Sequence, residues 1–337
     1  MKPADPLFAL VQSFFGEHLQ KVRGASVHTV SAYRDTLKLF LKFLADRREV
    51  TVDRLGVDDL QADNVSAFLQ HLEQDRKNRV STRNCRRIAL RGFFQHALRQ
   101  DPMRASQYAR VLALPAKRSA PNAPRYLEPH HMRLLLEQPN RRIPSGQRDY
   151  ALLLFLYNTG ARVSEAVAVR RRDFQFTAPH QARLLGKGNK ERFCPLWPDT
   201  INAIKPLFAT NAEKADPSEP AFHGIRQTPL TRHGANYILA KHVGTAVVKD
   251  PTFPERVSPH MLRHSCACAL LQAGVDLTVI RDYLGHASIA TTSRYANTNL
   301  KLKRDALSSF WDHAGLSASK VAPWRPSKSL LSYLSAL

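Results

Sequence analysis

The chain has 337 residues, 43% hydrophobic and 23% charged, the balance of a folded protein rather than a disordered or fibrous one. Its 50 Lys and Arg outweigh 28 Asp and Glu, a net charge of +22, which argues against an acidic scaffold and for a polyanionic partner, nucleic acid first. No apolar run approaches the roughly 18 residues of a membrane span, and the opening MKPADPLFALVQSFFGEH carries acids within and beyond its apolar part, so a soluble cytoplasmic protein without a signal peptide is expected.

The basic excess is not confined to one end: residues 1–126 hold 22 bases against 12 acids. Two lobes facing one polyanion suit that distribution better than a basic tail does. The first lobe reads as four amphipathic helices. TVSAYRDTLKLFLKFLADR places Val30, Tyr33, Leu37, Phe40, Leu41 and Leu44 at three- and four-residue steps. DPLFALVQSFFGEHLQK, LQADNVSAFLQHLEQ and VSTRNCRRIALRGFFQHALRQD follow the same period. In the last of these Arg83, Arg87 and Arg91 recur every four residues, with Arg86 beside them, opposite Ile88, Phe93 and Phe94. That stripe suits tracking of DNA phosphates, or a solvated helix face.

Pro115, Pro121 and Pro124, with Lys117, Arg118 and Ser119, then interrupt the period and read as an extended linker. The expected divisions are 1–114, a linker at 115–125, a second domain at 126–316 and a tail at 317–337. RDYALLLFLYNTGARVSEAVAV reads as a buried helix, a turn at Gly160 and a second helix. ARLLGKGNKERFCPL reads as two strands around a Gly-rich turn. Beyond it the pattern is helical to about Leu316.

VSPHMLRHS starts a helix, with Ser258 as N-cap and Pro259 at the first position. His260 and Arg263 share a face near that end, where amide donors and the helix dipole favour a phosphate. His260 and His264 also have the spacing of zinc ligands, but Met261 stands where a metalloprotease has its glutamate and no third ligand is evident. Asp276 caps the next helix, Gly285 ends it, and His286 emerges at its terminus. The four cysteines, Cys85, Cys194, Cys266 and Cys268, lack CxxC spacing and read as reduced structural thiols.

NTGARVSE, GKGNKERF, HMLRHS, LGH and RYA, in that order over residues 155–296, resemble the motif series of the tyrosine recombinases, the phage-integrase and Xer-type family. The resemblance implies a mainly α fold with a small antiparallel β-sheet in the catalytic domain, built as a two-domain clamp on DNA. It makes 1–114 a SAM-like core-binding domain and 126–316 the catalytic domain. It implies a catalytic set of Arg162, Lys187, His260, Arg263, His286 and the nucleophile Tyr295, with Glu165 supporting the first arginine. Singly, each residue has an ordinary alternative: Tyr295 as a packing residue with Tyr283 or Tyr333 in its place, or Arg162 as an ion-pair partner of Glu165.

The chemistry fits those residue types. Two arginines can hold the equatorial oxygens of a phosphorane-like state. A phenol, with an ordinary pKa of about 10, leaves more readily than an aliphatic alcohol. His260 suits a base or donor, Lys187 a general acid for the departing 5′ hydroxyl, and His286 a donor to the phosphate. The 3′-phosphotyrosyl link conserves the energy of the broken bond, so neither ATP nor metal nor other cofactor is expected. The lack of a GxxxxGK[ST] loop agrees.

The expected partners are double-stranded DNA with an inverted-repeat core site and further copies of the chain, four in a synapse, or a sister recombinase. The expected setting is the bacterial cytoplasm, at the nucleoid, with roles in integration, excision, resolution or transposition. Because the chain starts close to its first helix, a two-domain enzyme without an arm-binding domain is expected. A type IB topoisomerase-like activity, or a non-catalytic DNA-binding accessory role, is the alternative. In the tail, Leu330, Leu331, Leu334 and Leu337 make an apolar stripe after Pro323 and Pro326, suited to docking on a neighbouring protomer or on its own.

Overall fold

The structure is a computed structural model; it describes residues 6–118, 124–186, 188–208, 216–224, 227–286, 288 and 292. The chain separates into two compact units, Met1–Pro121 and Asn122–Leu337.

The first unit is all helical: α1 (Pro6–Ser13), α2 (Val27–Arg48), α3 (Ala62–Gln74), α4 (Val80–Gln100) and α5 (Ala105–Ala113). The expected opening helix changes pitch, since Phe14–Val22 is a π-helix. The wider turn lets Phe14 and Leu19, five residues apart, face the same core, where they are 1% and 0% exposed. Phe40, Phe68, Phe93, Phe94 and Tyr108 complete that core.

The arginine stripe of α4 differs from expectation in two ways. Ile88, assigned to the apolar face, is 55% exposed. Arg87 donates to the Leu114 carbonyl from Nε at 2.8 Å, and Arg91 donates to that of Leu112, so both close the C-terminal end of α5. Arg83 lies 3.7 Å from Glu73, which also accepts from Lys117 at 3.0 Å. Arg87 and Arg91 thus hold a helix end, a role that a sequence period cannot show.

The second unit holds α6 (Pro129–Leu136), α7 (Pro144–Thr159), α8 (Val163–Ala168), β1 (Phe174–Gln175), β2 (Gln181–Leu185), β3 (Glu191–Pro195), α9 (Pro198–Ile204), α10 (Arg232–Lys249), α11 (Pro259–Gln272) and α12 (Leu277–Leu284). Helix α7 is central: Ala151 to Leu156 are all buried, because α9, α10 and α11 pack around it. Its only carboxylate, Asp149, is fully buried and takes His242 of α10 at 2.9 Å and Arg148 at 2.6 Å. Burial alone would raise that carboxyl, but the hydrogen bonds from His242 and Arg148 hold it below the usual range.

The sheet is antiparallel, ordered β1-β2-β3, with Leu184 opposite Arg192 and Leu185 opposite Glu191. The two strands flanking the Gly-rich turn were expected; β1, of two residues, is too short to leave a period. The expected run of helix beyond β3 is interrupted. Between α9 and α10, Pro220 bridges back to Arg170, which precedes β1, and His223 bridges Pro229. Pro217, Pro220 and Pro229 lack the N–H donors that a helix there needs. Among the described residues no helix is long and apolar enough to cross a membrane. The tail at 317–337 and its leucine stripe lie outside the described residues.

Candidate active site

Three chain segments build the site. The first is the turn from α7 into α8. Gly160 ends α7 at φ +56°, and a Cβ there would come within 2.4 Å of Leu284 Cδ2. Glycine therefore serves both the left-handed backbone and the close approach of α12. Arg162 follows at the N-cap of α8, where its backbone N–H donates to Glu165 Oε2 at 2.9 Å. Its guanidinium donates to Glu165 Oε1 at 2.7 Å and keeps 38% of the side chain exposed. The ion pair therefore orients the arginine without hiding it. Burial pushes the Glu165 carboxyl up, but hydrogen bonds from Arg192 and Arg162 outweigh it and hold the group charged.

The second segment is the start of α11. Ser258 accepts from the Met261 amide at 3.3 Å, as an N-cap does, and Pro259 takes the first position. His260 faces out from this turn, with its ring 4.3 Å from that of His264. Arg263 does not lie open beside it, as the shared helix face suggested. It is 1% exposed and donates to Gly160 O at 2.6 Å and to Leu284 O at 2.7 Å. One buried guanidinium thus ties the turn bearing Arg162 to the helix end bearing His286.

That helix end is the third segment. Asp276 caps α12 by accepting from the Thr278 amide at 2.7 Å, and Gly285 stops it at φ +65°. His286 follows, and its Nδ1 lies 3.0 Å from Thr292 Oγ1. Burial, then the charges of Arg263 and Arg162, lower the His286 pKa to about 4. The same three causes, burial again first, lower that of His260. Burial and the two arginine charges thus both disfavour the protonated imidazoles, and an anion placed among them opposes the second effect.

Arg162, His260, Arg263 and His286 are brought together from residues far apart in sequence, each within reach of the others' charge. Lys187 and Tyr295 lie outside the described residues. Tyr283 is a poor substitute nucleophile: its hydroxyl donates to Asn158 O at 2.6 Å, and burial pushes its pKa up strongly. His260 and His264 gain no third metal-capable partner among the described residues; the one such group there is His130, His131 and Asp250, on other elements. Cys194, Cys266 and Cys268 are buried packing thiols, and Cys85 is exposed.

Arg192, within GKGNKERF, carries no sequence signal of the contacts it makes. On β3 it donates from Nη2 to Glu165 Oε2 at 2.7 Å and from Nε to Tyr283 O at 3.0 Å. A period-2 strand signal gives no reason for one arginine to turn inward.

The Phage integrase family model matches residues 125–301, which include all three segments, and the phage integrase N-terminal SAM-like domain model matches 12–101. The chain belongs to the phage integrase family. It is 37% identical to the "Putative integrase/recombinase y4rC" of Sinorhizobium fredii, over 98% of both chains. It is 30% identical to the tyrosine recombinase XerC of Pelobacter propionicus, over 95% of this chain and 99% of that one. In fold it is similar to a XerH site-specific recombinase bound to a palindromic difH substrate, with TM-score 0.67, 22% identity and coverage of 93% and 90% of the two chains. A lambda integrase dimer bound to a COC' core site gives TM-score 0.62, 15% identity and coverage of 86% and 94%. As a family member the chain is a tyrosine recombinase, with the mainly helical fold and small sheet that the family resemblance implied.

Proposed function

We propose that this recombinase cleaves and rejoins duplex DNA at an inverted-repeat core site through Tyr295, with Arg162 and Arg263 binding the scissile phosphate. The carrying observation is the convergence of Arg162, His260 and His286 around the Arg263 bridge between Gly160 O and Leu284 O, where burial and the two arginine charges lower both imidazole pKa values. An entering phosphodiester opposes those charges and strengthens every donor aimed at it. It also raises the affinity of His260 and His286 for a proton, so the substrate itself readies them for proton transfer. Lys187, which falls between β2 and β3 in the sequence, protonates the departing 5′ oxygen, and Tyr295 takes the 3′ phosphate. A 5′ hydroxyl from a second duplex then reverses the attack and gives strand exchange, in a synapse of four protomers. Arg83, Arg86, Arg87 and Arg91 contribute basic potential on the N-terminal unit, although Arg87 and Arg91 also donate to backbone carbonyls.

The test uses the duplex that the Tyr295→Phe protein selects from a random-sequence pool, converted to a nicked suicide substrate. The unaltered chain is expected to form a covalent adduct, and Tyr295→Phe to bind equally and form none. An adduct from the Phe variant would exclude Tyr295 as nucleophile. Relaxation of a supercoiled plasmid carrying two sites, with no exchanged product, would favour the topoisomerase-like alternative.

A further inference from the structure

Arg192, on β3, meets both the turn that carries Arg162 and the end of α12 that carries His286. Its side chain is 10% exposed. Nη2 donates to Glu165 Oε2 at 2.7 Å, while Glu165 receives Arg162 through its other oxygen, Oε1, at 2.7 Å and the Arg162 amide at 2.9 Å. Nε donates to Tyr283 O at 3.0 Å, in the last turn of α12, one turn from His286. The same guanidinium packs on Gly285, where an added Cβ would meet its Cδ and Nη1 at 3.2 Å. Gly186, the residue before Lys187, is equally confined: a Cβ there would lie 3.4 Å from Glu165 Oε1 and 3.8 Å from Arg192 Nη1.

We propose that Arg192 is a positioning residue that locks the β2–β3 hairpin to Arg162, through Glu165, and to His286, through the end of α12. Only a planar guanidinium serves here. Its divergent N–H groups reach a carboxylate and a carbonyl at once, which a lysine ammonium on a flexible stem does not. Burial lowers the arginine's hold on its proton, but the Glu165 carboxylate more than restores it, so the group stays charged. This role rests on the active site proposed above, and its consequence is confined to rate. DNA affinity comes from many surface charges, whereas displacement of the arginine or the histidine by a fraction of an ångström weakens transition-state contacts alone.

The experiment compares Arg192→Met, Arg192→Lys, Glu165→Gln and Glu165→Gln/Arg192→Met in the full chain. Each is assayed on the duplex selected by Tyr295→Phe for dissociation constant and for single-turnover adduct formation at saturating DNA. Arg192→Met is expected to slow cleavage by about 100-fold with affinity within about threefold of the unaltered chain. Arg192→Lys, able to satisfy one acceptor only, should fall between, and Glu165→Gln should change the rate far less in the Arg192→Met background than alone. A cleavage rate for Arg192→Met within about threefold of the unaltered chain, or additive losses in the double variant, overturns the positioning role. Should Arg192→Met fail to fold, by far-UV dichroism and thermal melting, folded Arg192→Lys decides: an unchanged rate overturns the proposal and a slowed rate at unchanged affinity supports it. If the unaltered chain forms no adduct, the proposed active site itself fails and Arg192 loses its role with it; an active parent with an unaffected Arg192→Met removes the positioning role alone.

Discussion

At the scale of single residues, the contrast between the two arginines is the informative one. Arg162 is held by one carboxylate and keeps an open side; Arg263 is buried and answers two backbone carbonyls. Arg263→Lys should therefore do more than weaken phosphate binding. A single ammonium cannot bridge Gly160 O and Leu284 O, so one carbonyl loses its partner, at about 1–3 kcal/mol of stability. Urea unfolding should show that loss, while adduct formation falls by about two orders of magnitude. Unfolding free energy equal to that of the unaltered chain would remove the bridging role.

The histidines make a second prediction at this scale. His286 holds its proton less tightly in the folded chain, near pKa 4, than in the unfolded chain, where the ordinary value is 6.5. Between those values the unfolded chain binds the extra proton, so stability is complete above about pH 6.5 and declines as pH falls toward 4. Ring resonances of His286 in the free protein should report the neutral form at pH 6. Protonation with a midpoint near 6.5 would show that neither burial nor the charges of Arg263 and Arg162 act on it as described.

At the scale of elements, the junction of α7 with α12 is a close-packed point that also needs a left-handed backbone. Gly160 combines φ +56° with a Cβ position 2.4 Å from Leu284 Cδ2, whereas Gly274 has φ +81° and open space around it. Gly274→Ala should carry the cost of left-handed backbone alone, about 1–2 kcal/mol. Gly160→Ala adds overpacking, a further 1–3 kcal/mol or about that, and displaces the end of α12 that presents His286. Thermal melting should rank Gly160→Ala well below Gly274→Ala, and adduct formation should suffer only in the former. Equal melting temperatures would mean that α12 accommodates the methyl group without strain.

At the scale of the whole molecule, the net charge of +22 sets the terms of any encounter with DNA. Binding that neutralises several phosphates releases as many counterions, so log affinity should fall steeply against log salt, by roughly 0.9 per contacted phosphate. Anisotropy titrations between low and moderate salt measure the slope directly. Affinity that is insensitive to salt would show that the basic surfaces do not face the DNA backbone.

Much of this protein is written locally. The 3.6-residue period marks the helices, Ser258 and Pro259 mark the start of α11, and Gly160 and Gly285 mark the stops before Arg162 and His286. Each depends on a residue and its near neighbours in the chain, so the sequence by itself determines them, and the spaced motifs GARVSE, HMLRHS and LGH point to the proposed site residues. The tertiary structure decides what long-range packing decides. It turns Arg263 inward between two carbonyls, spreads the α4 arginines over the end of α5, and breaks the run after β3 at its prolines. It brings Arg192 onto Glu165 and Tyr283, residues 27 and 91 positions away. A guanidinium reaches far from its own backbone and satisfies whichever acceptors the fold delivers. No period or cap in the sequence encodes which acceptors those are, because they come from other segments and meet only when the core closes.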